Sequence, residues 1–133
     1  MTYAIFTANL RNMREMRREL KKIEDELEVI LYDMTGVKGV RYDNTPGTFN
    51  PRLHDLKRLE DIDKYDDKLR EYNYLLITIN ETEEILKRMP ARLKPILNDI
   101  YVKGMTYRNA GEKYGYSDHG LWEYLKRETE RFL

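Results

Sequence analysis

Near the start of the chain, apolar residues recur in alternating steps of three and four positions and form a continuous stripe. Its members are Met13, Met16, Leu20, Ile23, Leu27, Ile30 and Met34. This spacing is that of a coiled-coil seam along one long helix, which we predict from about Thr7 to Met34. Because such a stripe is not stable when it faces water, it requires another helix, either from this chain or from a second copy.

A second amphipathic run follows later in the chain. It begins at Asn50-Pro51, which is typical of a helix start because Asn is a common N-cap and Pro is favoured at the first helical position. The run ends near Met89-Pro90. Its apolar members are Leu56, Leu59, Ile62, Leu69, Tyr72, Leu76, Ile79 and Leu86.

Residues 35–50 separate the two runs and carry residues that interrupt helices: Gly36, Gly39, Pro46 and Gly47. We interpret this segment as a connecting loop with a short extended piece from Val37 to Tyr42. Two long apolar stripes joined by such a loop predict an antiparallel helical hairpin.

The last third of the chain has the spacing of two short helices joined by a tight turn. Thr106 and Ser117 are each placed to cap the helix that follows. A glycine at position 111 lets the second helix approach the first, and Gly115 supplies the positive φ that a tight turn needs. These constraints together predict a helix-turn-helix, with a first helix over 106–114 and a second over 118–132.

A third helix from Leu93 to Lys103 would supply the remaining apolar surface that buries the core of a helix-turn-helix. The predicted fold is therefore all-α. A long, coiled-coil-like antiparallel hairpin occupies residues 1–89, with its loop at 35–50. A three-helix helix-turn-helix module occupies residues 90–133.

In DNA-binding proteins of this kind, the second helix enters the major groove. We predict DNA contacts from the outward positions of that helix and from the start of the helix before it. The candidates are Thr106, Tyr107, Arg108, Ser117, Asp118, His119, Trp122, Glu123, Lys126 and Arg127. Trp122 is open to two interpretations, a contact residue if it is exposed and a core residue if it is buried.

Charge is evenly balanced overall, with 24 basic and 24 acidic side chains, and this balance predicts weak non-specific affinity for phosphates. One segment departs from it. Its basic residues are Arg11, Arg14, Arg17, Arg18, Lys21 and Lys22. The simplest interpretation of the segment is a solvated helix face, and the alternatives are an auxiliary phosphate-contacting surface or a docking site for an acidic partner.

Several classes of function are disfavoured by what the sequence lacks. It has no cysteine, which excludes disulfides and thiolate metal sites. It has no apolar run of membrane-spanning length and no basic leader, so we expect a soluble cytoplasmic protein with no membrane partner. With two distant histidines and no glycine-rich phosphate loop, we expect neither an enzyme nor a protein that carries a metal or another cofactor.

The stretch from Ile96 to Ser117 resembles sigma-factor region 4. The matching residues are a leucine-rich helix, the step Tyr101-Val-Lys-Gly-Met-Thr-Tyr107, a small residue in the next helix, and Gly115-Tyr-Ser117 before the last helix. Together with the preceding hairpin, the chain is similar to phage-encoded transcriptional regulators of the ArpU and RinA type. The resemblance is strongest over Leu93 to Leu133.

This resemblance implies a phage or prophage regulator that binds double-stranded promoter DNA in a bacterial host, activates late genes and contacts host RNA polymerase. We expect a homo-oligomer, with a dimer favoured, because one neutral module binds DNA weakly. Two alternatives stay open. One is a protein-interaction or oligomerisation module whose helix-turn-helix has drifted, and the other is the DNA-recognition subunit of a phage packaging machine.

Overall fold

The computed structural model describes residues 1–35 and 51–133, and in those ranges the chain is helical with no strand. The prediction of an all-α fold is confirmed. A π-helical turn at Asn98–Val102 continues the third helix directly. Within these ranges the five α-helices are α1 (Tyr3–Thr35), α2 (Pro51–Arg88), α3 (Lys94–Leu97), α4 (Tyr107–Tyr114) and α5 (Asp118–Glu130).

The helix bounds lie within two residues of the predictions, with the π-helical turn counted in the third helix, except at the start of α1. This helix begins at Tyr3 rather than near Thr7, because Tyr3, Phe6 and Leu10 extend its apolar face and are buried. The second long helix starts at Pro51, as predicted. Thr35 is the last residue of α1, and the remainder of the predicted loop, with its extended piece, lies outside the described residues.

The chain forms two compact units. The core unit contains Met1–Arg17 and Ile77–Leu133, and the hairpin unit contains Arg18–Leu76. These ranges differ from the sequence-based division at residues 89 and 90. The reason is that the start of α1 and the end of α2 contribute to the same hydrophobic core as the three C-terminal helices.

In the core unit, apolar side chains from all five helices pack together. Phe6 from α1 is fully buried, as are Leu93 and Leu97 around the start of α3 and Leu121 and Leu125 from α5. The other buried members of this core are Tyr3, Leu10, Ile85, Met89, Ile96, Ile100, Tyr101 and Ala110. The predicted helix-turn-helix therefore shares its core with both long helices.

In the hairpin unit, α1 and α2 run antiparallel. The Tyr72 hydroxyl donates to Glu24 Oε1 at 3.3 Å, and Lys68 Nζ lies 2.7 Å from Glu26 Oε2. The higher-numbered residue of α1 thus meets the lower-numbered residue of α2. The predicted hairpin is confirmed within one chain.

Candidate nucleic-acid interface

Side-chain caps fix the starts of α4 and α5. The Asn109 N–H donates to Thr106 Oγ1 at 3.2 Å, and the Gly120 N–H donates to Ser117 Oγ at 3.1 Å. Both predicted caps are confirmed. Each satisfies a backbone N–H that has no partner within its own helix.

A three-residue turn, Gly115 to Ser117, joins the two helices. Gly115 has φ +83°, and its N–H and that of Tyr116 both donate to the Gly111 carbonyl at 2.8 Å. A Cβ on Gly111 would lie 2.4 Å from the Tyr116 carbonyl oxygen. The close approach predicted at Gly111 is therefore present, but its partner is the backbone of the turn and not α5 itself.

A buried carboxylate holds the end of α4. Asp99, on the π-helical turn, accepts from Lys113 Nζ at 2.8 Å and from the Tyr114 hydroxyl, and Lys103 Nζ lies 3.5 Å away. Hydrogen bonds from Lys113 and Tyr114 lower the pKa of Asp99 from 3.8 to about 2. The carboxylate therefore stays charged at neutral pH and fixes α4 against the preceding helix.

The outward face of α5 carries most of the predicted DNA contacts. Asp118, His119, Trp122 and Glu123 are exposed, and Lys126 is half-buried. The Trp122 ring stacks on His119 with 6.1 Å between centroids, and Lys126 Nζ lies 5.1 Å from the centre of the indole. With 37 % of its surface exposed, Trp122 belongs to this face and not to the core.

Two of the predicted contact residues have acidic neighbours. His119 Nε2 lies 3.0 Å from Glu123 Oε1 on the open surface. Arg127 Nε lies 3.5 Å from the buried Glu128, whose carboxylate also contacts Arg92 at 3.1 Å. A DNA phosphate would therefore compete with Glu128 for Arg127. The pair between His119 and Glu123 is exposed to solvent, so separating the two side chains costs little free energy.

A cleft of about 420 Å³ lies beside this face. Three tyrosines meet at it: the Tyr3 and Tyr101 hydroxyls are 2.8 Å apart, and the Tyr101 hydroxyl also bonds that of Tyr107. Burial raises the pKa of Tyr3 and of Tyr101, so both stay neutral hydrogen-bonding groups. The full lining is Thr2, Tyr3, Ala4, Thr7, Arg11, Tyr101, Tyr107, Trp122, Lys126 and Glu130.

The structure brings only part of the predicted basic segment to this region. Arg11 lines the cleft, with its guanidinium 5.1 Å from the centre of the Tyr101 ring. Arg14 is exposed, and Arg17 pairs with Glu83. The remaining members, Arg18, Lys21 and Lys22, belong to the hairpin unit.

At the start of α4 the predicted contacts have different surroundings. Thr106 and Arg108 are exposed, whereas Tyr107 is half-buried and its hydroxyl is held by Tyr101. Tyr3, Tyr101 and Glu130 were not predicted as part of any site. No local pattern identifies the contact between Tyr3 and Tyr101, because 98 positions separate the two residues.

In the described ranges, no group of three or more His, Asp or Glu side chains is placed to hold a metal ion. Among the described helices, none combines the length and the apolar character that crossing a bilayer requires. Comparisons with protein-family models, curated proteins and solved structures find no match to this chain. The resemblance to sigma-factor region 4 and to the phage regulators therefore stays a prediction from the sequence.

Proposed function

We propose that this protein binds double-stranded DNA in a sequence-specific manner and places α5 in the major groove. The observation that carries the proposal is the α4–turn–α5 geometry: two capped helices joined by a three-residue turn with a left-handed glycine. In helix-turn-helix proteins, residues at the start of the second helix contact base edges. Here that part of α5 presents His119, Trp122 and Glu123 to solvent.

The chemistry of this face suits base-edge recognition. Glu123 can accept from the amino group of cytosine, and His119 can donate to a base acceptor or a phosphate. Trp122 offers an apolar surface to a thymine methyl group. His119 Nε2 and Glu123 Oε1 lie 3.0 Å apart, and this pair is exposed to solvent. Both side chains can therefore leave the pair and contact bases instead.

Contacts to the DNA backbone would come from two places. The start of α4, with Thr106 and the exposed Arg108, is suited to backbone phosphates. Lys126 lies further along α5 and makes no ion pair in the described part of the chain. These contacts would set the register of the protein on the duplex, while Glu123 and its neighbours would supply specificity.

We further propose, from the sequence resemblance, that the DNA-binding activity serves transcription: a phage or prophage regulator that activates late genes by contact with host RNA polymerase. Because Lys113 and Arg127 are engaged by acidic residues, one copy offers few cations to DNA. A homodimer would double the contacts. Candidate surfaces for it are the exposed apolar residues of the hairpin unit, namely Val29, Leu31, Tyr32, Leu56 and Leu59.

The same exposed apolar residues favour a second candidate function. They suit a protein-interaction or oligomerisation module in which the helix-turn-helix has a packing role and binds no DNA. The packaging-subunit alternative predicts a large ring in place of a dimer. Mass measurement in solution separates these assemblies, and DNA retention separates both DNA-binding functions from the interaction module.

The test is selection of duplexes from a random-sequence DNA pool by the purified full chain at moderate salt. We expect enrichment of a defined motif, which Trp122→Ala and Glu123→Ala weaken or alter. The matched control is Glu112→Ala, which removes an exposed glutamate from α4 and should leave the selected motif unchanged. If no motif is enriched over the starting pool, the proposed function is wrong.

A further inference from the structure

Two cations, Arg11 and Lys126, line the cleft beside α5. In the described residues of the core unit, most basic side chains meet a carboxylate: Arg17, Lys87, Arg92, Lys103, Lys113, Arg127 and Arg131. Arg11 and Lys126 instead lie over the rings of Tyr101 and Trp122, each at 5.1 Å. A ring orients a cation but cancels none of its charge, so both remain able to bind an external anion.

The two cations come from opposite ends of the chain and line one cavity of about 420 Å³, within the size range of ligand sites. Tyr107 and Thr2 add hydroxyl groups to the wall, and Trp122 adds an apolar face on which a planar ring can stack. Glu130 is the one acidic group in the lining, so the formal balance of the cleft is positive.

We propose that this cleft binds a phosphate group, with Arg11 as the bidentate donor and Lys126 as the second cation. Two sources share this chemistry: the backbone of a DNA duplex that passes α5, and a free nucleotide whose base stacks on Trp122. The first source rests on the proposed function and extends it to the start of α1. The second is independent of it.

The single tryptophan makes occupancy of the cleft directly measurable, because Trp122 lines it and no other residue contributes indole fluorescence. The full chain is titrated separately with pyrophosphate, with ATP and with the selected duplex. Arg11→Ala is compared with Arg88→Ala, which removes the same charge from an exposed position on α2 that does not line the cleft. Arg11→Lys keeps the charge, and circular dichroism confirms that each variant is folded.

We expect saturable quenching that Arg11→Ala weakens roughly tenfold to a hundredfold, the range expected for losing a hydrogen bond to a charged group. Arg88→Ala should bind as the parent does, and Arg11→Lys should recover part of the affinity. If the source is the duplex, Arg11→Ala also reduces the slope of log affinity against log salt by about 0.9, the contribution of one phosphate contact.

The outcomes separate the two proposals. A response to pyrophosphate or ATP that depends on Arg11, without any duplex binding, supports the phosphate site and overturns the DNA-binding function. Duplex binding that Arg11→Ala and Arg88→Ala affect equally, with no nucleotide response, supports the DNA-binding function and overturns the phosphate site. Absence of any response overturns the phosphate site.

Discussion

The core unit and the hairpin unit both contain parts of α1 and α2, yet they bury their apolar residues to different extents. In the core unit, Phe6, Leu97, Leu121 and Leu125 are fully buried. In the described part of the hairpin unit, Ile23 is the one buried residue, and the rest of the stripe is half-buried or exposed. The spacing of apolar residues thus predicts that a helix forms and packs against a second helix. It does not predict how much of the apolar stripe that second helix buries.

The two units also differ in how deeply their charged side chains are buried. The core unit has two buried carboxylates, Asp99 and Glu128, and each forms ion pairs with more than one basic side chain. In the hairpin unit, Lys68 and Glu26 pair at a partly exposed position. We therefore expect changes of packing and charge to lower the free energy of unfolding more in the core unit than in the hairpin unit.

The largest effect is expected from truncating a leucine in each unit. Leu125→Ala removes a fully buried side chain from the core unit and leaves a cavity. It should lower the free energy of unfolding by about 3 kcal/mol. The matched change, Leu27→Ala, acts on a half-buried site in the hairpin unit and should cost about 1 kcal/mol. Urea unfolding followed by circular dichroism measures both free energies of unfolding. Equal losses in the two variants would contradict the expected difference between the units.

A smaller effect is expected from the glycines within α4 and α5. Gly111→Ala should cost about 2 kcal/mol, because the new Cβ would meet the Tyr116 carbonyl oxygen at 2.4 Å and that backbone cannot move freely. The same measurement on Gly120→Ala should show a change within about 0.5 kcal/mol. There the Cβ meets Ser117 Oγ, which can rotate away, and the gain in helix propensity offsets the lost cap.

The pH dependence of stability should come partly from Asp99. Its folded pKa of about 2 lies below the ordinary 3.8, so its contribution is present above pH 4 and is lost as the pH falls toward 2. Urea midpoints measured across this range should fall less steeply for Asp99→Asn than for the parent. An unchanged profile in that variant would show that Asp99 makes no such contribution.

The smallest effect is expected from the partly exposed ion pair of the hairpin unit. Lys68 lowers the pKa of Glu26, but solvent screens the interaction. Lys68→Ala should therefore leave the urea midpoint at neutral pH nearly unchanged. A loss as large as that of Leu27→Ala would show that charge, and not partial burial, holds the hairpin unit together.

Local features of the fold were predictable from the sequence because their causes are local. The caps at Thr106 and Ser117, the turn at Gly115 and the start of α2 at Pro51 each depend on residues a few positions apart. The π-helical turn was not predictable, since residues 98–102 suit an ordinary α-helix. In the structure the Lys103 N–H instead donates to the Asn98 carbonyl, five residues back, at 2.9 Å.

The candidate site was predictable only where it lies on one helix. The outward positions of α5 follow from helical spacing around Leu121 and Leu125. The structure exposes Asp118, His119 and Glu123 as predicted, leaves Lys126 half-buried, and exposes Trp122, for which two interpretations were open. The cleft depends on contacts between the two ends of the chain, which no spacing rule reveals. Arg11 was predicted as one of six equivalent basic residues, and only the fold places it beside Lys126.

Amide chemical-shift mapping with the selected duplex is the sharpest test of the proposal that the start of α5 contacts DNA. We expect the largest shifts at residues 117–123, with smaller ones at Arg108 and Arg11. Largest shifts confined to residues 18–34 and 56–76, or no shifts at a saturating duplex concentration, would contradict the claim.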